Sequence, residues 1–151
     1  MANEQEMRKI VLFFFLTLLE EKAAFEAAHR AVSTLKTKGL FRNGRDESVA
    51  RDAAIIAIMK RIFEQFKKTA SRNPLAGQIG LMVDIPKDLD LATWRSFQKM
   101  ATENESMAVA LSKILGFADE AVAMGLNVSL GTVRYRIGKG IRTLGEHVKK
   151  T

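Results

Sequence analysis

The sequence predicts an all-α protein, a helical bundle in the N-terminal half followed by a C-terminal helix-turn-helix, and three observations carry that prediction. Only two of the 151 residues are proline. No long alternation of apolar and polar residues marks a strand, and apolar residues recur at intervals of three and four through most of the chain. With 47% hydrophobic and 27% charged residues, the chain can bury a core and does not read as a disordered tail or a fibre. Its length leaves room for one compact domain or two very small ones.

Residues from about 5 to 35 are rich in Ala, Leu, Glu and Lys, and make one long helix or two closely joined ones. The most apolar run inside them, IVLFFFLTLL from Ile10 to Leu19, is ten residues long, where a bilayer span takes about 20. Arg8 and Lys9 precede it as in a signal peptide, but Glu20, Glu21 and Lys22 follow where a small-residue cleavage site belongs. The run therefore reads as a buried helix of a cytoplasmic protein with no membrane partner. Phe13, Phe14, Phe15 and Phe25 read as core rather than as a ligand pocket. Lys36, Lys38 and Gly39 suit a helix C-terminus, and Phe41 to Gly44 form a turn around Asn-Gly.

Asp46 is placed to cap the next helix, which runs to about Ala70 with an apolar face of Val49, Ala53, Ile55, Ile56, Met59, Ile62, Phe63 and Phe66. Arg51, Lys60, Arg61, Lys67 and Lys68 flank that face. They read as a solvated helix side, with a second surface for nucleic acid or an acidic partner as the alternative. Periodicity then fails from Ser71 to Lys87, a stretch punctuated by Pro74, Gly77, Gly80 and Pro86. Such a length is unusual inside a tight bundle, so residues 73–87 are read as a linker between an N-terminal helical domain, 1–72, and a C-terminal domain, 88–151. Asp88 or Asp90 can cap a helix carrying Leu91, Trp94, Phe97 and Met100. Three helical units follow: Ser106 to Leu115, Asp119 to Leu126, and Leu130 to about Lys149.

The formal charge is +7 and is unevenly distributed. Residues 1–29 carry −2, residues 30–72 carry +7, residues 73–131 carry −3 and residues 132–151 carry +5. A surplus of this kind favours an anionic partner. Cysteine is absent, which excludes disulfides, thiolate nucleophiles and cysteine-ligated metals. The two histidines, His29 and His147, are far apart and have no acidic cluster beside them. His29 reads as a partly buried helix residue, and His147 as a residue suited to a helix C-terminus. No Gly-rich phosphate loop, G-x-S-x-G or H-E-x-x-H occurs. Asp84, Asp88 and Asp90 sit at a helix start, where acids stabilise the dipole without a metal. The chain is thus expected not to be an enzyme and to need no cofactor.

Residues Asp119 to Ile137, DEAVAMGLNVSLGTVRYRI, contain two helical patterns joined by a turn too short to let them lie antiparallel, the signature of a helix-turn-helix. Val122 and Leu126 share one face of the first helix, and Ala123 is small where the second helix must cross. Asn127 falls at the corner and is one of the few non-glycine residues that enter the left-handed region cheaply. Ser129 can cap the second helix, and Val128 and Val133 are spaced for a hydrophobic staple. In the second helix Leu130, Val133, Ile137, Ile141, Leu144 and Val148 form an apolar stripe. At about 100° per residue, Thr132, Tyr135, Arg136, Lys139, Arg142 and Lys149 gather opposite it, with Arg134 at the border. Ser, Thr, Tyr and Arg on the N-terminal half of an exposed helix fit the major groove of duplex DNA.

The sequence from Gly116 to Ala123, followed by Val128 to Ile137, resembles region 4 of bacterial sigma factors, in particular the extracytoplasmic-function group, over about 40 residues. The resemblance implies that this helix-turn-helix recognises a −35 promoter element and contacts the flap of RNA polymerase. It implies further that Ser129, Thr132, Tyr135, Arg136 and Lys139 face DNA, and that Arg134 and Arg142 reach phosphates or support the fold. Three residues depart from the family pattern. Gly138 and Gly140 stand where arginine or alanine is usual, at about 1 kcal/mol of helix stability each, and Asn127 replaces the turn glycine. The glycines imply a helix that frays there or one on which something packs closely. In the first hundred residues neither the acidic polymerase-binding motif nor the aromatic promoter-melting segment of a region 2 domain is present. A diverged polymerase-binding domain, a dimerisation bundle and a sensor all stay open for that half.

The leading expectation is a cytoplasmic, sigma-like transcription factor that binds duplex DNA through Ser129 to Arg142. Its expected partners are RNA polymerase core, an anti-sigma-like regulator or a second copy of itself. The alternative is a protein-interaction module that grips polymerase or a regulator without touching DNA.

Overall fold

Seven α-helices account for nearly all of the described residues, 2–40, 48–68 and 90–149, of this computed structural model. The first two are α1 (Ala2–Leu18) and α2 (Glu21–Thr37), so the long N-terminal helical pattern is broken in two. The break is at Leu19, which takes a left-handed conformation with φ 53°, a cost of about 1–2 kcal/mol for a residue with a Cβ. The corner is held from outside. Trp94 donates its indole N–H to the Leu16 carbonyl at 2.9 Å, and the Gln98 amide donates to the carbonyls of Leu16 and Thr17 at 3.1 Å each. Side chains from the C-terminal half thereby satisfy the last carbonyls of α1, which a helix end otherwise leaves without partners.

Phe13, Phe14 and Phe15 are fully buried, as expected, with Phe13 and Phe14 in edge-to-face contact at 5.0 Å. Phe25 is only partly buried. It lines an open depression with Glu26, His29, Arg30, Ser33 and Phe66, and His29 is exposed rather than partly buried. The inner face of α2 is mostly alanine, at positions 23, 24, 27, 28 and 31, which lets it lie close to its neighbours α1 and α3. It ends as the sequence indicates, with Gly39 at φ 69° and the N–H groups of Gly39 and Leu40 returning to the carbonyls of Lys36 and Leu35.

The next helix, α3 (Val49–Phe66), is capped by Ser48, whose hydroxyl accepts the Arg51 N–H at 3.1 Å. Asp46, the expected cap, lies outside the described residues, as do Asp84, Asp88 and the 73–87 linker. Ala53, Ile55, Ile56, Met59, Ile62, Phe63 and Phe66 are buried as expected, whereas Val49 is exposed in the first turn, outside the packed part of the helix. Arg51 is the larger correction. Its side chain is only 12% exposed, forms an ion pair with Glu6 at 2.6 Å and donates to the Leu40 carbonyl at 3.0 Å. It therefore joins α1, α3 and the end of α2 instead of facing water. Lys67 reaches Glu64 at 2.6 Å and Glu103 at 3.3 Å, and these partners, Glu64 first, raise its pKa.

In the C-terminal half Asp90 caps α4 (Leu91–Met100). Trp94 and Phe97 are buried, but Met100, in the last turn, is 52% exposed. The following helix, α5 (Glu103–Val109), begins three residues before the expected Ser106 because Thr102 and Glu105 form a capping box. A π-helical turn, Ala110–Ile114, continues it. The last two helices, α6 (Asp119–Leu126) and α7 (Leu130–Lys149), have the expected bounds.

The buried residues of both halves form one hydrophobic cluster. The main contact between the halves is α6 on α3, and it runs through Gly125. A Cβ at that position would lie 2.7 Å from Ile56 Cβ and 2.8 Å from the Ala53 carbonyl oxygen. No helix of the described residues is long and apolar enough to cross a membrane.

Candidate nucleic-acid interface

The corner between α6 and α7 has the expected chemistry. Asn127 sits in the left-handed region at φ 57° and ψ 48°. The N–H groups of Asn127 and Val128 return to the carbonyls of Met124 and Ala123 at 3.2 and 3.0 Å, so the last turn of α6 is closed as α7 begins. The Ser129 hydroxyl accepts the Thr132 N–H at 3.0 Å and lies 2.8 Å from the Thr132 hydroxyl. Both side chains are therefore engaged at the start of α7, with Ser129 exposed and Thr132 half-buried. Val133 is fully buried and Val128 packs on the same core.

The inward stripe of α7 is Leu130, Val133, Ile137, Gly140 and Leu144, a strict alternation of three and four. Gly140 takes the position expected of Ile141, which is 43% exposed instead. The reason is close packing: a Cβ on Gly140 would lie 2.6 Å from Val109 Cγ2 and 3.6 Å from Phe97 Cζ. Gly138, in contrast, has nothing within 4 Å. Of the two departures noted in the sequence, one is a contact and the other is not. The side chains of His147, Val148 and Lys149 lie outside the described ones.

The main packing partners of α7 are α4, α5 and α6, all on its apolar side. Its other side is open. Tyr135 is 62% exposed, Arg134, Lys139 and Arg142 are exposed and Arg136 is half-buried. The helical spacing brings Tyr135, Arg136, Lys139 and Arg142 together with Thr132, while Arg134 stands at the edge toward α6. There its Nε lies 3.9 Å from Asp119 Oδ2, and Asp119 Oδ1 accepts the Ser112 hydroxyl at 2.7 Å. Lys139 Nζ lies 3.4 Å from Glu105 Oε2. Sequence reasoning missed both acids. Glu105 was legible as the fourth residue of a T-x-x-E capping box and Asp119 as the first residue of α6, but nothing in the sequence tied either to a particular cation of α7. Among the described residues, no three His, Asp or Glu side chains converge to hold a metal ion.

Neither the protein-family models nor the curated proteins include a match to this chain. Among solved structures, it is similar to a chain of the co-crystal structure of the sigma factor RpoE in complex with the anti-sigma factor NepR from Bartonella quintana. The fold resembles that of a component of this sigma/anti-sigma complex. The TM-score is 0.68, and the superposition covers 98% of this chain and 96% of the other. The likeness therefore extends well beyond the last 40 residues and takes in the N-terminal helices, in which no sequence motif was found. At 16% identity it is a likeness of fold.

Proposed function

We propose that this chain is a sigma-like transcription factor with no catalytic activity, working in the cytoplasm, which binds promoter-type duplex DNA through α6 and α7 and contacts RNA polymerase. The single observation that supports this most is the open side of α7. A left-handed corner at Asn127 sets α7 across α6, and its apolar side is seated on α4, α5 and α6. Tyr135 and Arg142 then stand on a side of the helix that the main packing does not use, with Lys139 beside them and the half-buried Arg136 at the edge of that side. In this reading residues 88–151 form the DNA-binding unit, and Ser129 and Thr132 fix the start of the helix while the longer side chains meet bases and phosphates. Residues 1–72 form the second unit, which serves polymerase.

Selection of bound sites from random duplex DNA, with and without polymerase core, tests the proposal. A site recovered only with polymerase supports a sigma-type subunit, and a site recovered without it supports an independent regulator. Recovery of no site under either condition refutes DNA recognition. The second reading, a module that binds polymerase or an anti-sigma-like regulator without DNA, is favoured by one observation, the likeness of the whole chain to a component of a sigma/anti-sigma complex. Retention on polymerase or on such a regulator, with no duplex retained at low salt, would support it.

A further inference from the structure

Two carboxylates outside α7 each have one oxygen fixed within their own part of the fold and the other turned to a cation of α7. Glu105 is 6% exposed and cannot swing away, because its Oε1 accepts the Thr102 N–H of the capping box at 3.3 Å. Its Oε2 faces Lys139 Nζ at 3.4 Å. Asp119 repeats the arrangement, with Oδ1 held by the Ser112 hydroxyl and Oδ2 beside Arg134. The local hydrogen bonds do not require a charge, since a capping box accepts glutamine as well as glutamate and an asparagine carbonyl can accept from Ser112. The charge of each acid favours the dipole of its own helix, in whose first turn it lies, and is also presented to a cation of α7.

We propose that Glu105 and Asp119 belong to the DNA site as intramolecular competitors of phosphate, holding Lys139 and Arg134 in the unbound chain and restraining affinity for any duplex. The inference rests on the DNA-binding reading above. A lysine with a carboxylate at 3.4 Å contributes less to counterion release than a free one, because its charge is already partly neutralised. Lys139 is the sharper case. Its partner is buried and rigid, whereas the Arg134–Asp119 pair is longer and more solvated, as surface pairs of small net worth are.

The test compares wild type, Glu105→Gln, Asp119→Asn, Lys139→Ala and Glu105→Gln/Lys139→Ala, as full chains on unrelated duplexes across a salt series. Far-ultraviolet circular dichroism confirms that each is folded. Glu105→Gln is expected to tighten binding by about fivefold at low salt and to steepen the log–log salt dependence by about 0.9. The same factor is expected on every duplex, because phosphate carries no sequence. Asp119→Asn should do the same more weakly. The gain from Glu105→Gln should vanish in the Lys139→Ala background. Unchanged or weaker binding by Glu105→Gln, or a gain that survives without Lys139, overturns the competition while leaving DNA binding intact. Folded wild type and variants that all fail to bind any duplex, both alone and with polymerase core added, overturn the DNA-binding reading and this inference together.

Discussion

Replacing Gly138 and Gly140 with alanine, one at a time, should change stability in opposite directions, although the two lie two residues apart in one helix. Alanine in a helix interior is favoured over glycine by about 1 kcal/mol. At 138 the new methyl group meets nothing within 4 Å, so that gain is realised in full and raises Tm by about 2–4 °C for a chain of this size. At 140 the methyl would stand 2.6 Å from Val109 Cγ2, 3.5 Å from the Glu105 carbonyl oxygen and 3.6 Å from Phe97 Cζ. Carbon atoms rest about 3.5–4.0 Å apart. Val109 is buried and β-branched, so its methyl moves only by leaving a strongly preferred rotamer. Overpacking of this kind costs about 1–3 kcal/mol, which outweighs the propensity gain. Gly140→Ala is therefore expected to lower stability by up to about 2 kcal/mol. Urea and thermal unfolding, followed by circular dichroism and by the fluorescence of Trp94, read the difference. A Gly140→Ala variant as stable as Gly138→Ala would show that α7 is not seated on α5 through this glycine.

The same reasoning applies where the halves meet: Gly125→Ala places a methyl group against Ile56 and the Ala53 carbonyl. It should destabilise by about 1–3 kcal/mol, and small-angle scattering should show a more extended chain if α6 lifts from α3. Trp94→Phe removes the indole donor from the Leu16 carbonyl, which keeps Gln98 as a partner, so a loss of about 1 kcal/mol in urea unfolding is expected. The carboxyl of Asp90 is held below its ordinary pKa, first by the Thr93 hydroxyl and then by the Ala92 N–H. A lowered folded value means that its stabilisation is present above the ordinary carboxylate range and is lost as pH falls through the lowered one. Asp90→Asn should accordingly flatten the decline of Tm in acid, and an unchanged acid limb would contradict that role.

The elements with complete local signals were the legible ones. The bounds of α6 and α7, the corner at Asn127 and the Ser129 cap rest on contacts within a few residues, and their residue types carry the information. The three phenylalanines of α1 were legible as core because they lie in an apolar run too short to span a bilayer. Other features depend on partners distant in sequence. The turn at Leu19 uses a residue with no turn propensity, and its stabilising donors lie about eighty positions away in α4. Arg51 looked solvated because Glu6, its partner, belongs to another helix. Ile141 was assigned to the stripe by its apolarity, whereas close approach of α5 required the glycine beside it. Glu105 and Asp119 were hidden for the same reason: each has a local role that explains it, and only the packing of α5 and α6 against α7 discloses the second.

Binding of the full chain to a selected duplex over a range of salt, for wild type and for Arg136→Ala, bears most directly on the role given to α7. If Arg136 meets phosphate or a base on the open side of the helix, its loss weakens binding, and a phosphate contact lowers the salt slope by about 0.9 as well. Equal affinity and equal slope in the two proteins would mean that this side of α7 does not meet DNA.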